Sequence, residues 1–449
     1  MNTTAYLMKS FTSYIIVSAF VFCGCSTTEK QKPFGEEADS LAMINLSDNV
    51  TKVESLLLSE AISDVQVVPL ETTNESLLAS IQNVQVTDDD IWIIPYEDQR
   101  LYRFSRSGKF LNFVGRIGQG PEEYTQLYDY FIDEKKKEVY CVTIYQGVQV
   151  YDFDGKYKRR PTNKLLGYMF SCAIGPFLLF DNHIFISQHT QVEKPINNPV
   201  DSLWSVALVD SAFQKKKLFK NPVHIGKEEL LVGRRGKAET WENVNYLREW
   251  SSTLESYANQ FTLKFPDTDT IYQYNLDSQE FIPLYMIESK EEKGDYELTH
   301  QWIKERKAFD YFLIREYYQS KDFIYLVGNK GENIYTYCYN KHDGKVTYKV
   351  DKGNIIARKL PWFANPHLYL ACPFVFENDI TGGDFTVDYR SSGKYWVDLL
   401  VPFSEDKWID IDAVKASTVI DEAKKEAFVN CLENVNEDSN PILLIGVLK

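Results

Sequence analysis

Leu101-Tyr-Arg-Phe-Ser-Arg-Ser-Gly-Lys-Phe110 and Val148-Gln-Val-Tyr-Asp-Phe-Asp-Gly-Lys-Tyr157 are two copies of one unit. Each alternates apolar and polar residues with a period of two, the spacing of a strand with one face turned inward. Ser-Gly at 107 and Asp-Gly at 154 then supply the positive φ angles of a tight hairpin turn. Weaker copies are Trp204–Phe213, Ile271–Phe281, Ile334–Val346 and Phe385–Tyr395. An apolar strand often precedes the unit, as in Ile91–Ile94, Val139–Val142, His183–Ile186 and Phe323–Val327. The repeat is therefore a small antiparallel meander. One meander cannot bury both of its faces, and radial packing around an axis solves that. Copies recurring at roughly 45–65 residues predict an all-β, six-bladed β-propeller. The terminal strand Pro441–Leu448 is expected to pair with Val65–Leu70, closing the ring and removing an exposed edge.

One stretch interrupts the strands. Residues 239–260 space Trp241, Val244, Leu247 and Trp250 as on one helix face, which predicts a short helical insertion between blades. A second helical segment is expected at 300–312.

The chain opens with an address. Lys9 precedes the apolar run Tyr14–Phe22, which leads into Cys23-Gly24-Cys25-Ser26. A basic start, a short hydrophobic core and small residues describe a secretory signal, too short to span a bilayer. Its end resembles a bacterial lipobox with Cys25 as the lipid acceptor. The expected organisation is a signal peptide at 1–24, a lipidated polar tether at 25–42 and the propeller at 43–449. Ser26 after the cysteine resembles lipoproteins sent to the outer membrane. Of the 7 cysteines, Cys141, Cys172, Cys338, Cys372 and Cys431 lie beyond the lipobox, and no C-x-x-C spacing occurs among them.

Composition narrows the partners. Hydrophobic residues make up 44% of the 449, enough for a buried core, and aromatics 14%, which suits pleated sheets. The net charge of −15 repels phosphate backbones and argues against nucleic acid.

Val68-Pro-Leu-Glu71, Gly115-Arg-Ile-Gly-Gln-Gly-Pro-Glu-Glu-Tyr124, Asp269-Thr-Ile-Tyr272 and Asn440-Pro-Ile-Leu-Leu444 together resemble a family of six-bladed propeller lipoproteins of Gram-negative gut bacteria, related to NHL-type propellers. Glu122 stands where that family usually has Gly. The resemblance implies the fold and an envelope location; its members mostly lack an assigned activity.

No linear catalytic motif is present. Gly115–Gly120 has the spacing G-x-x-G-x-G with Pro121 following, which is a turn and not a dinucleotide fingerprint. The 6 histidines form no H-x-x-x-H or H-E-x-x-H pair, and His342-Asp343 occupies a blade turn. Asp88-Asp89-Asp90 is dense in oxygen ligands without the spaced loop of a calcium site. No catalytic residue, metal ligand or cofactor is assigned. The candidate ligand-binding rim is Arg116, Gln119, Glu123 and Tyr124, which combine charge, hydrogen bonding and an aromatic ring on a glycine-rich segment. Tyr124 also suits a plug between blades. The expected function is a membrane-anchored, non-enzymatic binding or scaffold module for a glycan, peptide or protein partner. The alternative is a metal-dependent hydrolase or lyase acting at the central channel, and a sensor subunit of a transporter or regulator is a third reading.

Overall fold

The computed structural model describes residues 41–78, 80–96, 98–143, 146–161, 174–188, 204–225, 252–265, 268–291, 312–331, 333–352, 373–404 and 407–449. Cys25, Cys172, Cys372, residues 239–251 of the expected insertion and residues 300–311 lie outside them.

Six antiparallel sheets follow one another along the chain, each ordered from its first strand to its fourth. Blade 1 is Ile81–Val86, Asp90–Pro95, Leu101–Ser105 and Phe110–Val114. Blade 2 is Leu127–Asp133, Glu138–Thr143, Gly147–Asp152 and Tyr157–Arg159. Blade 3 is Ile174–Phe180, His183–Gln188, Val206–Val209 and Lys215–Phe219. Blade 4 is Thr253–Tyr257, Gln260–Lys264, Thr270–Asn275 and Glu280–Glu288. Blade 5 is Leu313–Gln319, Phe323–Lys330, Asn333–Asn340 and Val346–Lys352. Blade 6 takes Tyr389–Ser391, Tyr395–Leu400 and Ile442–Leu448 from the C-terminal region and Ile62–Pro69 from the N-terminal one. Ile442 pairs with Pro69 and Leu444 with Val67, so the two ends of the propeller close the ring as expected.

The period of two explains the core. On the second strand of blade 1, Ile91 and Ile93 pack toward blade 6, while Trp92 and Ile94 pack toward blade 2. The same division recurs around the ring, and six hydrophobic clusters each fill one gap between neighbouring blades. Both faces of every blade are thus buried, and each fully buried aliphatic or Phe side chain contributes about 1.5–3 kcal/mol.

The repeated glycines have a second task besides the turn. Gly108 (φ +84°) and Gly155 (φ +82°) occupy equivalent turns, closed by Gly108 N–H donating to Ser105 O and Gly155 N–H to Asp152 O. A Cβ on Gly108 would lie 2.2 Å from Pro69 O of blade 6, and one on Gly155 2.5 Å from Phe113 O of blade 1. The turn of each of these blades therefore rests on the backbone of the blade before it.

Two sequence expectations are corrected. The helical insertion does not extend to residue 260, because Thr253–Tyr257 and Gln260–Lys264 form a hairpin. There Leu254, Phe261 and Leu263 enter the core between blades 3 and 4, and that burial fixes a strand. The described α-helices lie elsewhere, at Leu58–Ala61, Ile411–Ala416 and Glu422–Glu433, and a 3-10 turn at Pro222–His224. The last repeat copy is out of phase: its Ser392-Gly393 turn joins the first and second strands of blade 6, not the third and fourth. Two short strands precede the closing strand, at the start of the span expected for the propeller. Ala42–Asn45 adds a parallel fifth strand to blade 4, and Val50–Lys52 does the same for blade 5.

Candidate functional site

The connections divide the propeller into two unlike ends. Links from first to second strand and from third to fourth hold two to five residues throughout blades 1–5. The opposite strand ends carry the blade-to-blade segments 70–80, 115–126, 160–173, 220–252, 289–312 and 353–388, together with 189–205 and 401–441. Turns that short fix a smooth surface, whereas long connections are where recognition residues are usually carried.

The four rim residues expected from sequence sit on the 115–126 segment at the long-connection end, but they differ in exposure. Tyr124 is fully buried between blades 1 and 2, and its hydroxyl donates to Val114 O at 3.0 Å. Its ring leaves no room for a side chain at Gly115, whose Cβ would fall 2.6 Å from it. The Glu123 carboxylate accepts the Gly120 N–H at 2.9 Å, and its carbonyl accepts the buried Gln149 amide at 2.7 Å. Arg116 and Gln119 are exposed. The segment is thus a rigid loop that presents Arg116 and Gln119, held from below by Glu123 and Tyr124.

The Asp88-Asp89-Asp90 run is pulled apart. Asp88 accepts from Lys394 at 2.7 Å and Tyr395 at 2.8 Å, which keeps its carboxyl below the usual range, while Asp90 binds Arg103 through both oxygens at 3.1 Å. His342 Nε2 lies 2.7 Å from Asp322 in an exposed turn. Cys141, Cys338 and Cys431 are free thiols, and burial pushes Cys338 up to about 12.

A second candidate site is the central channel, whose residues sequence reading did not pick out. The first strands of the blades surround a cavity of about 300 Å³. On one side, neutral amides join blades 1 and 2: Gln82 donates to Tyr128 O at 2.9 Å, Asn83 to Asp129 Oδ1 at 2.9 Å and Gln85 to Tyr130 O at 2.7 Å. On the other side, Arg390 of blade 6 ties three blades together. It donates to Glu255 of blade 4 at 2.6 Å, and to Glu316 at 3.0 Å and Tyr317 O at 2.9 Å in blade 5. Its guanidinium also lies 4.6 Å from the Tyr318 ring centroid.

Burial governs the acids here. It raises Glu255 to about 7 despite Arg390, whose attraction acts the other way, and the Glu316 charge adds to the rise. Burial likewise lifts Asp129 to about 6, opposed by the Tyr130 amide and Asn83. Deeper in blade 6, burial and the nearby Asp388 charge hold Asp398 well above its usual value, while Lys407 pairs with Asp388. Among the described residues, no three His, Cys, Asp or Glu side chains are placed to hold a metal ion. The signal that could have exposed the channel is a polar residue inside the first strands of blades 1, 2, 4 and 5, namely Asn83, Asp129, Glu255 and Glu316, just upstream of an apolar second strand.

Six blades closed by Ile62–Pro69 and Ile442–Leu448 define a six-bladed β-propeller. The chain belongs to the family described as a domain of unknown function, DUF4934, whose model matches residues 41–446. Among solved structures, a Bacteroides fragilis protein described as exported is similar at a TM-score of 0.57 and 16% identity, covering 91% of this chain and 100% of its own. A DUF4221 family member from Bacteroides vulgatus is similar at a TM-score of 0.41 and 11% identity, covering 65% of this chain and 86% of its own. No curated protein sequence matches. Among the described residues, no helix is long and apolar enough to cross a membrane.

Proposed function

We propose that this protein is a binding module of the cell envelope, attached by lipid at Cys25, that receives a glycan, peptide or protein partner on its long-connection end. The observation that carries the reading is the contrast between strand ends: short turns at one, and at the other a rigid loop presenting Arg116 and Gln119. An exposed cation and amide, fixed by the buried groups beneath them, suit hydrogen-bonded recognition of a polar surface without ordering cost. Lipid at Cys25 accords with the outer-membrane address read from the leader, since several acyl chains hold a protein essentially permanently on a bilayer.

Two experiments test the two halves of this reading. Metabolic labelling with a fatty-acid analogue, followed by membrane fractionation, is expected to label the wild type and leave Cys25→Ala unlabelled and released. Glycan-array and envelope cross-linking screens with the full chain are expected to yield a partner whose capture falls about tenfold in Arg116→Ala/Gln119→Ala. The melting temperature should stay unchanged, because exposed side chains away from packed features shift stability by under about 0.5 kcal/mol. Undiminished capture by that variant would move the interface away from this loop.

A hydrolase or lyase acting at the channel is the second reading. It is favoured by two acids with raised proton affinity, the half-buried Asp129 and the buried Glu255, on the wall of one cavity. Elemental analysis of protein purified without chelator tests its metal-dependent form: a stoichiometric divalent metal would promote it.

A further inference from the structure

We infer that the outer edge of blade 4 is a membrane-docking surface that lies against the anionic phospholipid headgroups of the bilayer, an inference resting on the lipid anchor at Cys25 proposed above. Blade 4 is one strand wider than blade 3, because Ala42–Asn45 is added outside Glu280–Glu288. On and beside these two outermost strands, Leu41, Met43, Ile282 and Met286 are between 38% and 47% exposed. The register gathers part of this set into one patch. Met43 pairs with Met286, and Ile44 with Ile287. Ile44 and Ile287 enter the core between blades 4 and 5, so alternation turns both methionines to the side of blade 3. Leu41 stands two residues before Met43, in the same phase. Blade 3 stops one strand short and does not cover them. Single exposed apolar side chains are ordinary, whereas a contiguous set marks a contact surface.

Two observations name the occupant. The first is the chain itself. Residues 26–40 separate Cys25 from Leu41, at most about 50 Å even when fully extended. The anchored segment therefore joins the propeller at the patch, and its first residue there, Leu41, belongs to it. The second is charge. The chain carries a net −15, yet the outermost strand of blade 3 is Lys215-Lys-Lys-Leu-Phe219, followed by Lys220. Lys217 reaches blade 4, where it donates to Gln279 O at 2.9 Å and pairs with Glu280, which sets the basic strand beside the apolar edge. Lys215 and Lys220 are exposed and have no ion-pair partner among the described residues. The acids near the methionines are engaged, Asp48 with Lys290 and Glu288 with the Asn45 amide at 3.1 Å. Apolar side chains beside unpaired lysines suit a face that sinks into the headgroup layer and meets its phosphates. A second copy of this chain fits less well, because a self-complementary contact would bring two basic strands into one interface. In a ring of six, blade 4 stands across from blade 1, so the loop presenting Arg116 and Gln119 is held off the bilayer.

The test is photo-cross-linking of the full-length protein, purified from membranes, in vesicles of phosphatidylethanolamine and phosphatidylglycerol doped with a diazirine-bearing phosphatidylglycerol. Adducts are mapped by peptide mass spectrometry. They are expected at least about tenfold more often on residues 41–45 and 280–288 than on the outer strand of blade 1, Phe110–Val114. Met43→Gln/Met286→Gln should stay anchored, melt like the wild type because both side chains are exposed, and lose about tenfold of these adducts. Lys215→Gln/Lys220→Gln should lower them at least about fivefold with phosphatidylglycerol and leave them unchanged in phosphatidylcholine vesicles. Adducts spread evenly over the blade edges, or undiminished in Met43→Gln/Met286→Gln, would overturn the inference. So would cross-links between two copies through residues 41–45 in place of lipid adducts, which would assign the edge to a dimer. Failure of fatty-acid labelling at Cys25 removes the anchor and this inference together. Labelling at Cys25 with adducts elsewhere removes this inference alone.

Discussion

The two sides of the channel do the same job with opposite chemistry. Between blades 1 and 2, three neutral amides from Gln82, Asn83 and Gln85 span the gap. Between blades 4, 5 and 6, one guanidinium spans it by gathering Glu255, Glu316 and a carbonyl. The amide side satisfies backbone oxygens at little desolvation cost and leaves Asp129 half-committed. The ionic side concentrates its stability in Arg390, because breaking a buried ion pair strands a charge. The largest effect is therefore expected there. Arg390→Met should destabilise the domain by about 3–5 kcal/mol at pH 8, read from denaturant unfolding. Glu255 already stands at about 7 with Arg390 beside it, and losing that cation raises it further. At pH 5 the stranded carboxyl is therefore protonated, and the loss should shrink. Adding Glu255→Gln should recover much of the stability at pH 8. A pH-independent loss that Glu255→Gln does not relieve would place the role of Arg390 in packing against Tyr318 instead.

On the amide side the sign reverses. Asp129 rises from 3.8 to about 6 on folding. A group with a raised folded pKa supports the fold fully below its unfolded value, and that support is lost as pH climbs through the folded value. The ionised Asp129 is thus a burden above pH 6. Asp129→Asn should stabilise the protein at pH 8 by about 1–2 kcal/mol, discounting the shift for partial solvent access, and the gain should vanish near pH 4. Melting curves at both pH values measure it. A loss at pH 8 would mean that the carboxylate is held by a partner outside the described residues.

The ring was legible in the sequence and the channel was not, for physical reasons. Strand pairs such as Asp90–Pro95 with Leu101–Ser105 bury alternate residues in two different cores, so a period of two is written into them. Turns that rest on the neighbouring blade need glycine, which marks Gly108 and Gly155. The last copy misled because Ser392-Gly393 is a turn of the same composition at a different place, where a Cβ on Gly393 would fall 2.7 Å from Ser256 O. Residues 42–52 form two parallel strands too short to carry a pattern of their own. Helices Ile411–Ala416 and Glu422–Glu433, capped by Asp410 and Asp421, were not read from the sequence, because their apolar faces are narrow, with Val414, Phe428 and Leu432 buried. In the channel, the polar residues are spread over five blades, from Asn83 to Arg390, and a polar residue in a first strand looks like an ordinary break in alternation. Of the four residues named for the rim, Tyr124 is buried and Glu123 holds the Gly120 N–H, while Arg116 and Gln119 are exposed.

The smallest effect sharpens the contrast most. Gln85→Ala removes one neutral donor from Tyr130 O and touches no ionisable group directly. Its cost should be about 1 kcal/mol, the usual net worth of a hydrogen bond with a partly buried carbonyl left behind. Because no charge is stranded, that cost should be equal at pH 5 and pH 8 and insensitive to salt, unlike the loss in Arg390→Met. If Gln85→Ala instead weakened with acid, the amide and carboxyl on this side would be one coupled unit. Asp129 would then take part in holding the blades as well as in facing the cavity, and Asp129→Asn would combine a repaired burden with a lost tie. Measured together at the two pH values, Gln85→Ala, Asp129→Asn and their double variant separate these cases, since independent ties add within about 0.3–0.5 kcal/mol and coupled ones do not.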